Sequence, residues 1–215
     1  MKIYLLFTTL LFIKLVYGDW LAIGTCNEGQ FVLGASVMNG DCAIMGPNTY
    51  RYIKCTEDSY KMWDCTGDDC EEWANHNQPT DTGPLNVCEN NQMQLCFKSF
   101  NETTFVNKIF PTAERVAILY TFPQWVPEPA CNATLQSVDI LALDVCAKPF
   151  DDNHYLLAQC DEKNFSERGY SDASCEKPAE EPFRLPVQKC QFGWYVTCFD
   201  QNTSPVAKIN KTRLH

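Results

Sequence analysis

Apolar and polar side chains along this chain alternate with a period of two, not with the 3.6-residue period of a helix. In Gln92-Met93-Gln94-Leu95-Cys96-Phe97, Met93, Leu95 and Phe97 share one face, the pattern of a half-buried strand. Trp194-Tyr195-Val196-Thr197-Cys198-Phe199 is apolar or cysteine-bearing on both faces, as in a sandwich interior. Tyr50 to Cys55 and Tyr155 to Cys160 read the same way. Val116 to Phe122 is rich in β-branched and aromatic residues and extends the sheet of either half. Turn-forming clusters separate these runs at Met38-Asn39-Gly40-Asp41, Gly46-Pro47-Asn48, Thr66-Gly67-Asp68 and Pro149 to Asn153. No stretch carries a helical stripe beyond a turn or two. The pattern predicts an all-β, antiparallel protein.

The amino terminus departs from this pattern. Ile3 to Ile13 is an uncharged, mostly apolar run of 11 residues preceded by Lys2. A membrane span takes about 20 apolar residues, so this run is too short for one. Val16 and Gly18 suit the −3 and −1 positions of a signal-peptidase site. Residues 1–18 therefore read as a cleaved signal peptide, with Asp19 as the mature terminus. There is no second long apolar run. The polar tail 201–215 has no lipid-anchor or retrieval signal. The product is expected outside the cell or in a vesicle lumen, with no membrane span. In such an oxidising compartment cysteines pair.

Export changes the meaning of the 13 cysteines. They fall into two sets: Cys26, Cys42, Cys55, Cys65, Cys70, Cys88, Cys96, then Cys131, Cys146, Cys160, Cys175, Cys190, Cys198. With Cys65 omitted, the intervals are 16, 13, 15, 18 and 8 in the first set and 15, 14, 15, 15 and 8 in the second. Aromatic residues and prolines keep the register. Trp20 and Trp125 precede the first cysteine of each set by six, Pro84 and Pro186 precede the fifth by four, and Phe97 and Phe199 follow the last. The agreement predicts a tandem repeat. The expected organisation is two disulfide-stapled, β-sandwich-like modules at 19–100 and 116–200, joined by a linker at 101–115. Six cysteines allow fifteen pairings, and spacing does not choose among them. Such small modules bury little surface, so each disulfide's contribution of about 2–4 kcal/mol matters. Cys65 is left without a match, because its counterpart is Tyr170. It is the expected unpaired thiol, free or bonded to a second chain in a disulfide-linked dimer.

The second half carries Tyr170-Ser171-Asp172-Ala173-Ser174-Cys175, a proline-led cysteine at Cys190, and a closing Tyr195-Val196-Thr197-Cys198-Phe199. This set resembles the small secreted, cysteine-rich β modules of amoeboid protists. The resemblance covers mainly Tyr170 to Phe199, and the first half departs from it at Cys65. It implies export and β structure and brings no catalytic residues with it.

Charge narrows the partners. The chain has 17 basic and 27 acidic side chains. Without Lys2 and Lys14 of the signal peptide the balance is 15 − 27 = −12. That leaves no basic footprint for nucleic acid and no basic cluster for anionic lipid. His76, His154 and His215 belong to no zincin motif, and there is no nucleophile elbow, P-loop or dinucleotide turn. The acidic run Asp68, Asp69, Glu71 and Glu72 lacks the ligand spacing of a calcium loop and reads as a solvated loop. The expectation is no catalytic residue, no cofactor and no metal. Five sequons, at Asn101, Asn132, Asn164, Asn202 and Asn210, predict N-glycosylation. None lies before Cys96, so the first half is the one expected to stay bare for contact. Trp63 and Trp73 have no aromatic counterparts in the second half (Arg168 and Pro178), which makes them the candidate contact residues. The sequence thus points to a secreted, non-enzymatic binding or coat protein with a protein or glycan ligand. The rival readings are a hydrolase using a carboxylate pair and a disulfide-stabilised inhibitor or effector.

Overall fold

The computed structural model describes residues 19–124, 131, 133–149 and 154–200. The expected signal peptide at 1–18, the tail at 201–215, and the sequons at Asn132, Asn202 and Asn210 lie outside the described residues.

The first half contributes β1 (Trp20–Asn27), β2 (Gln30–Asn39), β3 (Ala43–Gly46), β4 (Thr49–Cys55), β5 (Ser59–Cys65), helix α1 (Cys70–His76), β6 (Asp81–Pro84), β7 (Cys88–Glu89) and β8 (Gln92–Phe97). Helix α2 (Glu102–Ile109) follows. The second half adds β9 (Arg115–Thr121), β10 (Ser137–Ala142), β11 (Cys146–Ala147), β12 (Tyr155–Cys160), β13 (Asn164–Tyr170), β14 (Phe183–Pro186) and β15 (Trp194–Asp200). The all-β class holds: every strand pairing between these elements is antiparallel.

The strands form three sheets. A seven-stranded sheet runs β15-β9-β10-β2-β1-β8-β7, and two four-stranded sheets run β3-β4-β5-β6 and β11-β12-β13-β14. The period-two pattern sorts the side chains between layers. On one face of the large sheet, Trp20, Ala22, Val37, Met93, Ile118, Val138 and Ile140 pack with Phe105, Val106 and Ile109 of α2. The opposite face meets the two small sheets separately. Leu21 packs there with Ile53, Tyr60 and Leu85 of the first half, while Ala117 and Val196 pack with Ala158, Phe165 and Leu185 of the second.

The halves share a small-sheet order and a disulfide pattern but are not separate bodies. Each has a four-stranded sheet of the same order, and each pairs its framework cysteines first to fifth, second to fourth and third to sixth. The bonds are Cys26–Cys88, Cys42–Cys70, Cys55–Cys96, and Cys131–Cys190, Cys146–Cys175, Cys160–Cys198. Yet β2 pairs with β10, with Ala35 opposite Ile140 and Ser36 opposite Asp139. The large sheet therefore crosses from one half to the other through its two central strands. β9 lies between β10 and β15, as β1 lies between β2 and β8.

The expected linker at 101–115 needs correction. Asn101 caps α2, its side chain accepting from the Thr104 amide at 2.8 Å. Phe105, Val106 and Ile109 then enter the core with at most 1% exposure. Phe105 stands 4.5 Å from Phe97, 5.5 Å from Phe100 and 6.0 Å from Trp20, centroid to centroid. Thr103, Thr104 and Val106 are β-branched and weak helix formers, so local propensity conceals the helix. Burial of its apolar face compensates.

Candidate contact surface

The second cysteine of each half must meet the fourth, and the halves achieve this differently. In the first, Cys70 opens α1. Asp69 caps that helix by accepting from the Glu72 amide at 3.1 Å, and Glu71 and Glu72 occupy its first turn, where acids complement the helix dipole. The acidic run thus starts a helix. In the second half, the Asp172 carboxylate gathers the Lys177 amide at 2.7 Å, the Glu176 amide at 3.2 Å and the Ser174 hydroxyl. These bonds hold its pKa down. The turn presents Cys175, at φ +53°, to Cys146. The Tyr170 to Cys175 motif is therefore a turn that aims a cysteine.

α1 also explains the unmatched aromatics, and the contact expectation for Trp63 and Trp73 is corrected. Trp63 is 6% exposed, donates through Nε1 to the Asn77 carbonyl at 3.1 Å, and meets Tyr52 at 5.7 Å. Trp73 is half-buried in the same cluster with Cys65, Cys70 and Tyr50. Both form the packing between α1 and the sheet beneath it, and the second half has no such helix there. Cys65 lies in this cluster, unbonded and with no exposure. Burial, and then Asp64, push its pKa up. A disulfide to a second chain needs a reachable sulfur, so the expected dimer through Cys65 is corrected for the folded protein. Asp19, Cys55 and Cys96 come within 4.8 Å of one another. The two cysteines are bonded to each other, however, and the Asp19 carboxylate takes Lys98 Nζ at 3.0 Å and the Cys55 amide at 2.6 Å. That group is a tether for β1.

The most exposed large apolar residue among the described ones is Phe192, at 67%. It stands at the tip of the hairpin that leads into β15. Gln191 and Trp194 exchange two backbone hydrogen bonds of 2.9 Å. Between them Phe192 and Gly193 take φ +52° and +80°, a type I′ turn. Gly193 suits its positive φ, and a Cβ there would approach the Phe122 carbonyl to 3.1 Å, a tight contact that the neighbours would have to relieve. The matching hairpin of the first half, between β7 and β8, uses Asn90 and Asn91 at φ +51° and +62°. Asn tolerates this left-handed region, whereas a bulky aromatic there is an outlier. Phe192 therefore carries both backbone strain and an exposed ring. Trp194 of the same hairpin is met edge-on at 5.3 Å by Phe183, which is 39% exposed. Nothing in its period-two context marks Phe192. Comparing the two hairpins position by position is the signal that finds it.

Two cavities adjoin the ion pair of Arg115 with Asp144. One, about 450 Å³, is polar and is lined by Asp144, Gln159, Asp161, Asn164, Ser166 and Arg184. The other, about 400 Å³, lies beside Phe31, Phe110 and Val145. Asp161 accepts from the amides of Lys163 and Asn164, each at 2.7 Å, which holds its pKa down. It stays a carboxylate near neutral pH and is not poised as a general acid. The carboxyls raised by burial are Glu102 and Asp139. Glu102 accepts from the Tyr120 hydroxyl at 2.7 Å on the α2 face of the large sheet. Asp139 lies on the opposite face, since its neighbours Val138 and Ile140 point toward α2. The sheet separates these two acids, so they cannot flank one bond as a glycosidase pair does.

Asp139, bonded to Ser36, yields a prediction. Its folded-state pKa is raised above the unfolded value. Its favourable contribution is full below the unfolded pKa and is lost as pH rises through the folded pKa. Asp139→Asn should therefore be at least as stable as the parent at neutral pH. Between about pH 4 and 7, where carboxyl groups titrate, its melting temperature should change less than the parent's. A variant less stable at neutral pH with the parent's pH profile would contradict this. Comparisons of the chain with protein-family models, with curated proteins and with solved structures found no match.

Proposed function

We propose that this is an exported, N-glycosylated, non-enzymatic β protein that binds a protein or glycan at the cell exterior, and that the Phe192 hairpin is its contact point. The six disulfides suit an oxidising compartment, and among the described residues no helix is long and apolar enough to cross a membrane. A kinship with the secreted protist modules fits the same compartment. The observation that carries the binding reading is the strained and exposed Phe192, where the other half uses Asn90. Strain held at a surface tip is usually retained for function. An exposed aromatic brings large contact area at small entropic cost. A disulfide-stabilised inhibitor or effector remains the second reading, because Cys190, two residues before the tip, is tied to Cys131.

Phe192→Asn tests the proposal. It should leave the fold unchanged or stabilise it by about 1 kcal/mol, because Asn tolerates the left-handed backbone. Binding to the partner captured from native membranes and medium should weaken by about tenfold or more, the loss of one interface anchor. Undiminished binding would sink the proposed contact point. Tight stoichiometric inhibition of a captured enzyme would favour the inhibitor reading. Turnover of a glycoside or peptide library, abolished by changing one acid, would favour the hydrolase.

A further inference from the structure

The polar cavity is lined by the first and third residues of the sequon Asn164-Phe165-Ser166, which β13 presents on one face. Phe165 points inward with no exposure. Strand alternation therefore turns Asn164 and Ser166 outward together, and both line the cavity. The backbone of Asn164 is fixed at the hairpin that opens β13. Its amide donates to Asp161 Oδ1 at 2.7 Å and its carbonyl accepts from the Asp161 amide at 2.9 Å. Only its side-chain torsions remain free to aim whatever the amide carries. Across the strands, Ser166 is flanked by Gln159 on β12 and Arg184 on β14. The three make a row of amide, hydroxyl and guanidinium about 10 Å wide at ordinary strand spacing, about 7 Å along the strand from Asn164. Asp144 and Asp161 border the same space.

We infer that this cavity is the seat of the chain's own N-glycan, with the first sugars on Asn164 lying back along the Gln159–Ser166–Arg184 row. The inference rests on the proposed glycosylation. Sugar hydroxyls and an acetamido group need donors and acceptors, and the row with its bordering carboxylates offers both. Asn164 is itself a lining residue, so a glycan on it starts at the cavity and meets the row at high effective concentration. The glycan then covers the outer face of the second small sheet and closes this cavity to an external ligand. Asn101 is the natural control. It is also an exposed sequon, with its carbonyl oxygen engaged as the α2 cap, and it lines neither cavity.

The test uses the full secreted chain, with glycans mapped site by site by mass spectrometry. Under native conditions an amidase that cleaves the Asn–sugar bond should release the Asn164 glycan about tenfold or more slowly than the Asn101 glycan, the protection given by about two ordinary hydrogen bonds. In denaturant the two rates should converge. Gln159→Ala with Arg184→Ala keeps the sequon and should bring native release at Asn164 toward the Asn101 rate. Equal native release at both sites, or slow release unaffected by the double substitution, would overturn the seat while leaving glycosylation intact. A bare Asn164 would overturn both.

Discussion

Replacing Phe105 with alanine is expected to lower the unfolding free energy by about 3–5 kcal/mol, the usual cost of truncating a buried aromatic. The size of the effect follows from where the ring lies. Phe105 has no exposure and touches three aromatic rings, Trp20, Phe97 and Phe100, at the point where β1, β8 and the segment after β8 converge. Neither Trp20 on its strand nor Phe97 on its neighbour can follow a retreating helix, so the cavity would persist. Thr103, on the exposed side of the same helix, is the control, and Thr103→Ala should change stability little. Chemical denaturation of both variants reads the difference. Near-equal stability of the two would mean that 101–115 is a linker after all and that α2 contributes nothing to the core.

A second large effect is expected on dividing the chain. Residues 19–100 expressed alone should aggregate or be rapidly proteolysed, and residues 116–200 alone should do the same. Each half would expose one central strand of the large sheet, β2 or β10, with Val37, Val138 and Ile140 losing their cover. A long apolar strand edge of this kind is a template for association. The first half would also lose α2, and with it the lid over Trp20 and Phe97. Adding α2 to the first half and co-expressing residues 19–109 with 110–200 in an oxidising compartment should recover a single protease-resistant species. Two separately folded, monomeric, β-rich halves would show instead that the cysteine repeat marks independent modules.

Much of the local structure is legible in the residues. Alternation in Gln92–Phe97 places β8, and the run Trp194 to Phe199, apolar or cysteine-bearing on both faces, places β15, because both faces of the large sheet are covered. The match of cysteine intervals separates Cys65 from the twelve cysteines that pair in the structure. Pairing itself is not legible, because a disulfide depends on two backbone positions brought to within about 6 Å of each other. Only the tertiary structure decides it. The same holds for α2, whose β-branched residues disfavour a helix until Phe105 and Ile109 have a sheet to pack on. It holds for Trp63, whose lack of a counterpart reflects an extra helix and not a free surface. The proposed contact tip was hidden for a related reason. Phe192 looks ordinary until the hairpin gives it a positive φ, and strain is a property of backbone geometry, which composition does not carry. The sequence by itself determined the strand pattern and the odd thiol, since these are read from residue types and their spacing along the chain. The union of two halves through β2 and β10 was decided by tertiary structure alone, because strand edges choose partners by the burial that each pairing completes.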